Sequence, residues 1–425
     1  MKLIQILKSR KSFSAKPIAL LAIRIASMLA SSLTSVYLAR HMGAAEYGQL
    51  AIIMSAIAIS LMPMQVGISR MIVRDLGSIK CSSSLKKEKH RYEGATKATV
   101  LSVGLAMIAF FGFLWLYHSR MSVIPSYLIT SAILLLVSAH FFYLFQSIEV
   151  STGRLLIAYL CDGVIRQTPI IIICMLAAFL YPAANRKISS VEILAATALG
   201  YVFSIPFLSS RTKTKNIISG INFRNVKFWA RRSAPFTLMT FSDALLQNLD
   251  IVMIGLLLAS HQAGTYKVGV LLGSLPGISI AVGALIVYPM LAEQNRALRK
   301  ETSVEARELL IQVGLFSLAV IFTLVFYGRE IINIIFGREY MDAYGVTLIL
   351  SVSQLFNLIG IQAKPILIIR GEEYFVLSAS LIALLCCALG NVAIIPKYGL
   401  LGVSILMAIL NFSLNVTYFY KASKI

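Results

Sequence analysis

The chain has 425 residues, of which 58% are hydrophobic and only 13% charged; its mean hydropathy is +0.81 and its formal net charge +21. No soluble fold could hide that much apolar surface, so a water-soluble enzyme or binding module is excluded and one integral membrane bundle is expected. The excess of Lys and Arg would suit nucleic acid, but these residues sit between apolar runs, so the charge is a topology signal and no nucleic-acid partner is expected.

A helix needs about 20 apolar residues to cross the hydrocarbon core. Runs of that length recur at 17–39, 48–68, 95–117, 125–148, 157–180, 190–210, 234–258, 266–290, 308–327, 343–369, 374–395 and 399–420. A barrel would instead show alternating ten-residue strands. The expected fold is therefore an all-α polytopic membrane protein of about 12 transmembrane helices. The first run follows a basic tail, residues 1–16, that looks superficially like a signal peptide. It is too long and lacks a small-residue cleavage site, so it reads as the first helix.

With the N-terminus inside, 27 of the 39 Lys and Arg fall in inner segments, against seven in outer loops and five within spans. By the positive-inside rule both termini, including the tail 421–425, are expected in the cytoplasm. Two basic loops, 69–94 and 211–233, carry most of the bias and suit anionic lipid. The second falls at mid-chain and reads as a linker between an N-terminal six-helix half, 17–210, and a C-terminal half, 234–420. A weak repeat supports the halves: YLARHMGAAEYGQLAIIMSAI echoes IGLLLASHQAGTYKVGVLLGSL, with Tyr47 matching Tyr266. Six helices per half is an even number, so the halves would be related by a pseudo-two-fold axis along the membrane normal.

Charges inside the spans point to a site, because an ionisable group in mid-bilayer costs about 2.5–3.5 kcal/mol on insertion scales. Arg24 lies about two turns inside the first span, where it either faces a cavity or snorkels. Arg166 follows Asp162 by four residues, so the two share a helical face and can neutralise each other, and Pro169 should loosen the helix there. Lys267 and Lys364 stand nearer the ends of their spans, the latter before Pro365. In the span 234–258, Asp243, Gln247 and Asp250 recur at i, i+4 and i+7 and so share one face. The offset between the repeats aligns Arg24 with Asp243, which suggests a central cavity with one cationic and one acidic wall. Five cysteines (Cys81, Cys161, Cys174, Cys386, Cys387) lack metal-ligand spacing and read as buried, reduced thiols. His140 reads as a packed residue. There is no GxxxxGK[ST], HExxH or GxSxG motif, so no enzyme activity is expected.

The segments YLARHMGAAEYGQL, MPMQVGISRMIVRDLG, QNLDIVMIGLLLASHQAGTYKVG and YPMLAE, with the basic tail and first helix, resemble the Wzx-type O-antigen flippases. These form the polysaccharide branch of the multidrug/oligosaccharidyl-lipid/polysaccharide exporter superfamily. The resemblance covers essentially the whole chain in helix count and loop lengths, although its motifs are loose patterns of glycine, tyrosine and charge.

What the resemblance implies is a bacterial inner-membrane flippase. Its substrate would be undecaprenyl-diphosphate-linked oligosaccharide, moved from the cytoplasmic to the periplasmic leaflet by alternating access. Arg24 would bind the diphosphate, with Arg166, Lys267 and Lys364 as further cavity cations. Asp250, with Asp243 and Asp162, would serve coupling or gating. Coupling to H+ or Na+ stays open, and no organic cofactor is expected. An O-antigen polymerase and a chain-length regulator would be partners beside the lipid bilayer. Four rivals stand against this reading. A peptidoglycan-precursor flippase also uses a cationic cavity but usually has extra helices beyond twelve, for which this chain leaves no room. A sugar-uptake carrier of the major-facilitator type would want a GxxxDRxGR-like loop after the second span, where this chain has SRMIVRDLGSIK. A drug/cation exporter of the same superfamily typically needs an acid in the first helix, where this chain has only Arg24. A membrane-embedded O-antigen polymerase would want a large outer loop, but the longest here is 328–342.

Overall fold

The computed structural model describes residues 15–62, 69, 85–120, 126–180, 189–209, 226–280 and 301–424, and these contain helices and turns but no strand. The helices are α1 (Ala15–Met42), α2 (Ala44–Met62), α3 (Leu85–Arg120), α4 (Ser126–Ser151), α5 (Leu155–Gly163), α6 (Thr168–Leu180) and α7 (Ser190–Ser209). They continue as α8 (Val226–Leu257), α9 (Ser260–Gly273), α10 (Glu301–Ile335), α11 (Ala343–Ile369) and α12 (Glu373–Ser423). Seven of the helical stretches among the described residues are long and apolar enough to cross a membrane. Large apolar side chains such as Ile108, Trp115, Phe322 and Leu389 stand exposed, as lipid-facing residues must be. The all-helical membrane fold expected from composition is therefore what forms.

The helix limits follow local chemistry. Pro17 sits in the first turn of α1, where its missing N–H costs nothing. The turns after α4 and α11 share one design. Gly153 (φ 85°) and Gly371 (φ 82°) take the left-handed conformation that glycine alone adopts without strain. The next N–H then donates back to an orphan helix carbonyl, Arg154 to Glu149 and Glu372 to Leu367, at 3.0 and 2.9 Å. The expected spans 374–395 and 399–420 are the two arms of α12, separated at Gly399, whose φ of 55° and ψ of −142° are not helical, just after Pro396.

The expected span 157–180 is not one helix. It breaks at Val164 into α5, a 3-10 turn Ile165–Gln167, and α6. The loosening expected at Pro169 thus occurs one turn earlier. Pro169 lies in the first turn of α6, a position that tolerates it. The tip of the turn rests on α7 at Gly200, where any Cβ would collide with the carbonyl of Arg166.

The chain divides into two compact units, residues 1–38 with 60–237 and residues 39–59 with 238–425. In the first unit α4 packs along α7, burying Leu136, Ala139, Phe142, Leu194 and Ala198. In the second, α11 packs on α9, α10 and α12 around Ile254, Tyr266, Val346 and Leu367. Residues 39–59 join the second unit through glycine. A side chain at Gly48 would strike the Ser260 carbonyl, and one at Gly264 would strike the Ala44 carbonyl, so α2 and α9 approach almost backbone to backbone. Tyr340, after α10, adds a hydrogen bond to the Ala39 carbonyl at 2.8 Å.

Several expectations fall outside the described residues: the tail 1–14, the loop residues 70–84, most of the linker (210–225), and the ends of two spans at 63–68 and 281–290. Cys81 is among them. Cys161, Cys174 and Cys387 are buried free thiols as expected, whereas Cys386 is exposed. Adjacent positions on a helix point about 100° apart, so Cys386 and Cys387 could not both face inward. His140 is buried, its Nδ1 against the Leu136 carbonyl at 2.7 Å.

Candidate functional site

Each unit carries its own cluster of intramembrane charge. In the first unit Arg24 projects from α1 as an exposed side chain, and among the described residues its guanidinium has no ion-pair or hydrogen-bond partner. One turn on, Ser27 packs against the end of α5, where a Cβ at Gly163 would lie 2.7 Å from the Ser27 Cβ. Gln167, in the 3-10 turn, donates its amide to the Ser27 carbonyl at 3.3 Å, and among the described residues its buried Oε1 has no partner. The helix break therefore brings polar backbone and an unsatisfied carboxamide beside the stretch of α1 that bears Arg24.

Arg166 and Asp162 meet as their spacing predicts, at 3.3 Å, with side chains 25% and 30% exposed. The helix break changes the rest of the pair. Arg166 Nε also donates to the Asp162 backbone carbonyl at 3.0 Å, and its Nη1 donates to the Tyr201 hydroxyl at 3.3 Å. Its guanidinium lies over the Tyr201 ring, 5.1 Å from the centroid, and the Tyr201 and Tyr143 hydroxyls are 3.4 Å apart. A cation with these partners is anchored rather than free.

In the second unit the shared face of Asp243, Gln247 and Asp250 on α8 splits. Gln247 is exposed. Asp243 accepts two bonds from Lys364 Nζ on α11, at 3.0 and 2.9 Å, with both side chains about 30% exposed. Lys364 Nζ also stands 5.9 Å from the centre of the Tyr418 ring, and the Tyr418 hydroxyl bonds Ser380 at 2.9 Å. Two residues expected to act separately, one as a cavity cation and one as a coupling acid, are thus partners. Two turns on, Asp250 is 4% exposed and accepts the Tyr266 hydroxyl at 2.7 Å and the Ile251 N–H at 2.8 Å. Lys267 follows Tyr266 on α9 and is half-buried.

Sequence reasoning missed Tyr201, Tyr418 and Gln167, since a lone uncharged tyrosine or glutamine in an apolar run carries no spacing signal. It also missed the carboxamides Gln354, Asn357, Asn411 and Asn415. The last two, four apart in an apolar run, did offer a helical-face signal. Glu149, at the end of α4, was missed as well. It is buried and lies 3.5 Å from Arg154 across the Gly153 turn.

Known proteins match this chain in family and fold. CapF, a capsular polysaccharide biosynthesis protein of Staphylococcus aureus, is 27% identical over 170 residues, 38% of this chain and 42% of that protein. The chain therefore aligns with less than half the length of that curated relative. An inward-facing multidrug resistance MATE family transporter of the MOP superfamily superposes with a TM-score of 0.65 at 16% identity, over 96% of this chain and 97% of that one. The lipid II flippase MurJ in an inward closed conformation gives 0.68 at 12% identity, over 96% and 87%. A MOP superfamily transporter from Pyrococcus furiosus, described as having a binding pocket of reversed polarity, gives 0.56 at 15%, over 96% and 94%. At these identities the structural likenesses establish the fold and no more. The family model described as polysaccharide biosynthesis protein matches residues 14–295, most of the chain, and the chain belongs to that family.

Proposed function

We propose that this protein is a Wzx-type flippase that moves undecaprenyl-diphosphate-linked oligosaccharide, an O-antigen repeat unit, across the bacterial inner membrane from the cytoplasmic to the periplasmic leaflet by alternating access. The observation that carries the reading is Arg24. Arg166 and Lys364, also within helices, have carboxylate partners, whereas among the described residues nothing pairs with the Arg24 guanidinium. An unpaired cation in an apolar helix is costly and suits a site that takes an anion. A diphosphate cannot enter hydrocarbon without replacing its hydration, and a guanidinium offers it forked donors of matching geometry. The polysaccharide family and the fold shared with a lipid II flippase support a lipid-linked saccharide as cargo.

Around Arg24 the other charges take roles their partners allow. Arg166, Lys267 and Lys364 are secondary cations, and the carboxylates paired with Arg166 and Lys364 limit how tightly these two hold an anion, which favours release. Asp250, bonded to Tyr266, is the coupling group, and Asp243 and Asp162 gate the cations they pair with. The chain crosses the membrane twelve times in two halves with both ends cytoplasmic, and an O-antigen polymerase with its chain-length regulator receives the product.

The test is the leaflet distribution of undecaprenyl-diphosphate oligosaccharide in cells depleted of the protein. Accumulation on the cytoplasmic face with loss of surface polysaccharide is expected. Unpolymerised single units at the surface would make the protein a polymerase, and unaffected lipid-linked sugar with lost drug resistance would make it a drug/cation exporter.

A further inference from the structure

In the second unit a chain of carboxamides runs along the seam between α11 and α12. Asn415 donates to Asn357 Oδ1 at 3.1 Å and to both the carbonyl and Oδ1 of Asn411 at 2.8 Å. Asn411 donates in turn to the carbonyl and hydroxyl oxygens of Ser353 at 3.0 Å. Asn357 donates to Gln354 Oε1 at 2.8 Å. There the chain ends. Gln354 is half-buried, and among the described residues its amide nitrogen donates to nothing.

Interhelical amide bonds are common glue in membrane bundles, and pairing of α11 with α12 accounts for Asn411 and Asn415. It does not account for Gln354, which makes no bond to α12. The surrounding backbone nonetheless holds these groups in place. A Cβ at Gly360 would collide with Asn415 Oδ1, and one at Gly277 would come within 2.7 Å of Gln354 Oε1. Fixed carboxamides with spare donors and acceptors match the hydroxyl and acetamido groups of a sugar, which donate and accept in pairs.

The seam also leads to a cation. Asn357 and Lys364 are seven residues apart on α11, and Asn411 and Tyr418 seven apart on α12. Two turns separate each pair, so Asn357 shares a face of α11 with Lys364, and Asn411 a face of α12 with Tyr418, whose ring lies beside the Lys364 ammonium. From Gln354 to Lys364 the track is about 15 Å long. We propose that the carboxamides of Gln354, Asn357, Asn411 and Asn415 form a saccharide-binding subsite, contiguous with Lys364, which takes an acidic group of the same ligand. This rests on the flippase reading and assigns the sugar of its substrate to the second unit.

The experiment compares binding of undecaprenyl diphosphate and undecaprenyl-diphosphate-N-acetylglucosamine to the purified full-length protein in detergent. Wild type should prefer the sugar-bearing lipid by about tenfold, the worth of one or two well-placed hydrogen bonds. Gln354→Met, which keeps side-chain length, should erase that preference and leave undecaprenyl diphosphate binding unchanged. Asn357→Leu should do the same, and thermal melting confirms that each variant is folded. A preference that survives both substitutions, or one absent from wild type, overturns the subsite while the flippase stands. Failure of wild type to bind either lipid above a phosphatidylglycerol control overturns the flippase reading and the subsite with it.

Discussion

The two units solve the same problem in different ways. Each sets a cation beside a carboxylate and over a tyrosine ring: Asp162, Arg166 and Tyr201 in the first, Asp243, Lys364 and Tyr418 in the second. In the first the ion pair is local, four residues apart across a helix break, and Arg166 gains a backbone carbonyl and a hydroxyl as well. In the second the pair spans 121 residues and ties α8 to α11, with the ammonium bonded to both oxygens of one carboxylate. The local pair shapes a turn. The distant pair joins two helices, so losing it should cost more than losing the other.

The largest expected effect probes the turn itself. In Gly200→Ala the new methyl would meet the Arg166 carbonyl, and backbone cannot yield as a side chain can. Overpacking of this kind costs about 3 kcal/mol, read as a lowered melting temperature in detergent. If Gly200→Ala melts like wild type, α7 does not press on the helix break. Next, Lys364→Met strands Asp243 in a mostly apolar setting. With about 30% exposure to soften the loss, it should cost about 1–2 kcal/mol. The double variant Asp243→Asn/Lys364→Met should recover most of that stability, and equal melting of the single and double variants would show that the pair is not coupled. The smallest effect belongs to Asp162→Asn. Arg166 keeps the backbone carbonyl and Tyr201, so a loss of about 0.5 kcal/mol is expected. A larger loss than for Lys364→Met would reverse the comparison.

The same contrast explains what could be read from the sequence. The helical membrane fold was legible because span length and charge bias are one-dimensional signals. So was the Asp162–Arg166 pair, since four residues is one helical turn. A loosening of this helix was legible from Pro169, but its place at Val164 was not, because there the Arg166 carbonyl packs against Gly200 of another helix. Nor was the partnership of Asp243 and Lys364, which tertiary packing alone creates. Both residues stood out as costly intramembrane charges, but their mutual neutralisation is invisible without the fold. The carboxamides of α11 and α12 passed unnoticed because an uncharged amide barely interrupts a hydropathy profile.

Arg24 is proposed as the open cation that receives the diphosphate. That role is tested most directly by reconstituting wild type, Arg24→Lys and Arg24→Ala in vesicles and measuring transbilayer movement of undecaprenyl-diphosphate-linked oligosaccharide. Movement is expected with wild type, a loss of at least about tenfold with Arg24→Ala, and partial retention with Arg24→Lys, which keeps charge but not the fork. Movement by Arg24→Ala at the wild-type rate, with equal protein inserted, would contradict that role.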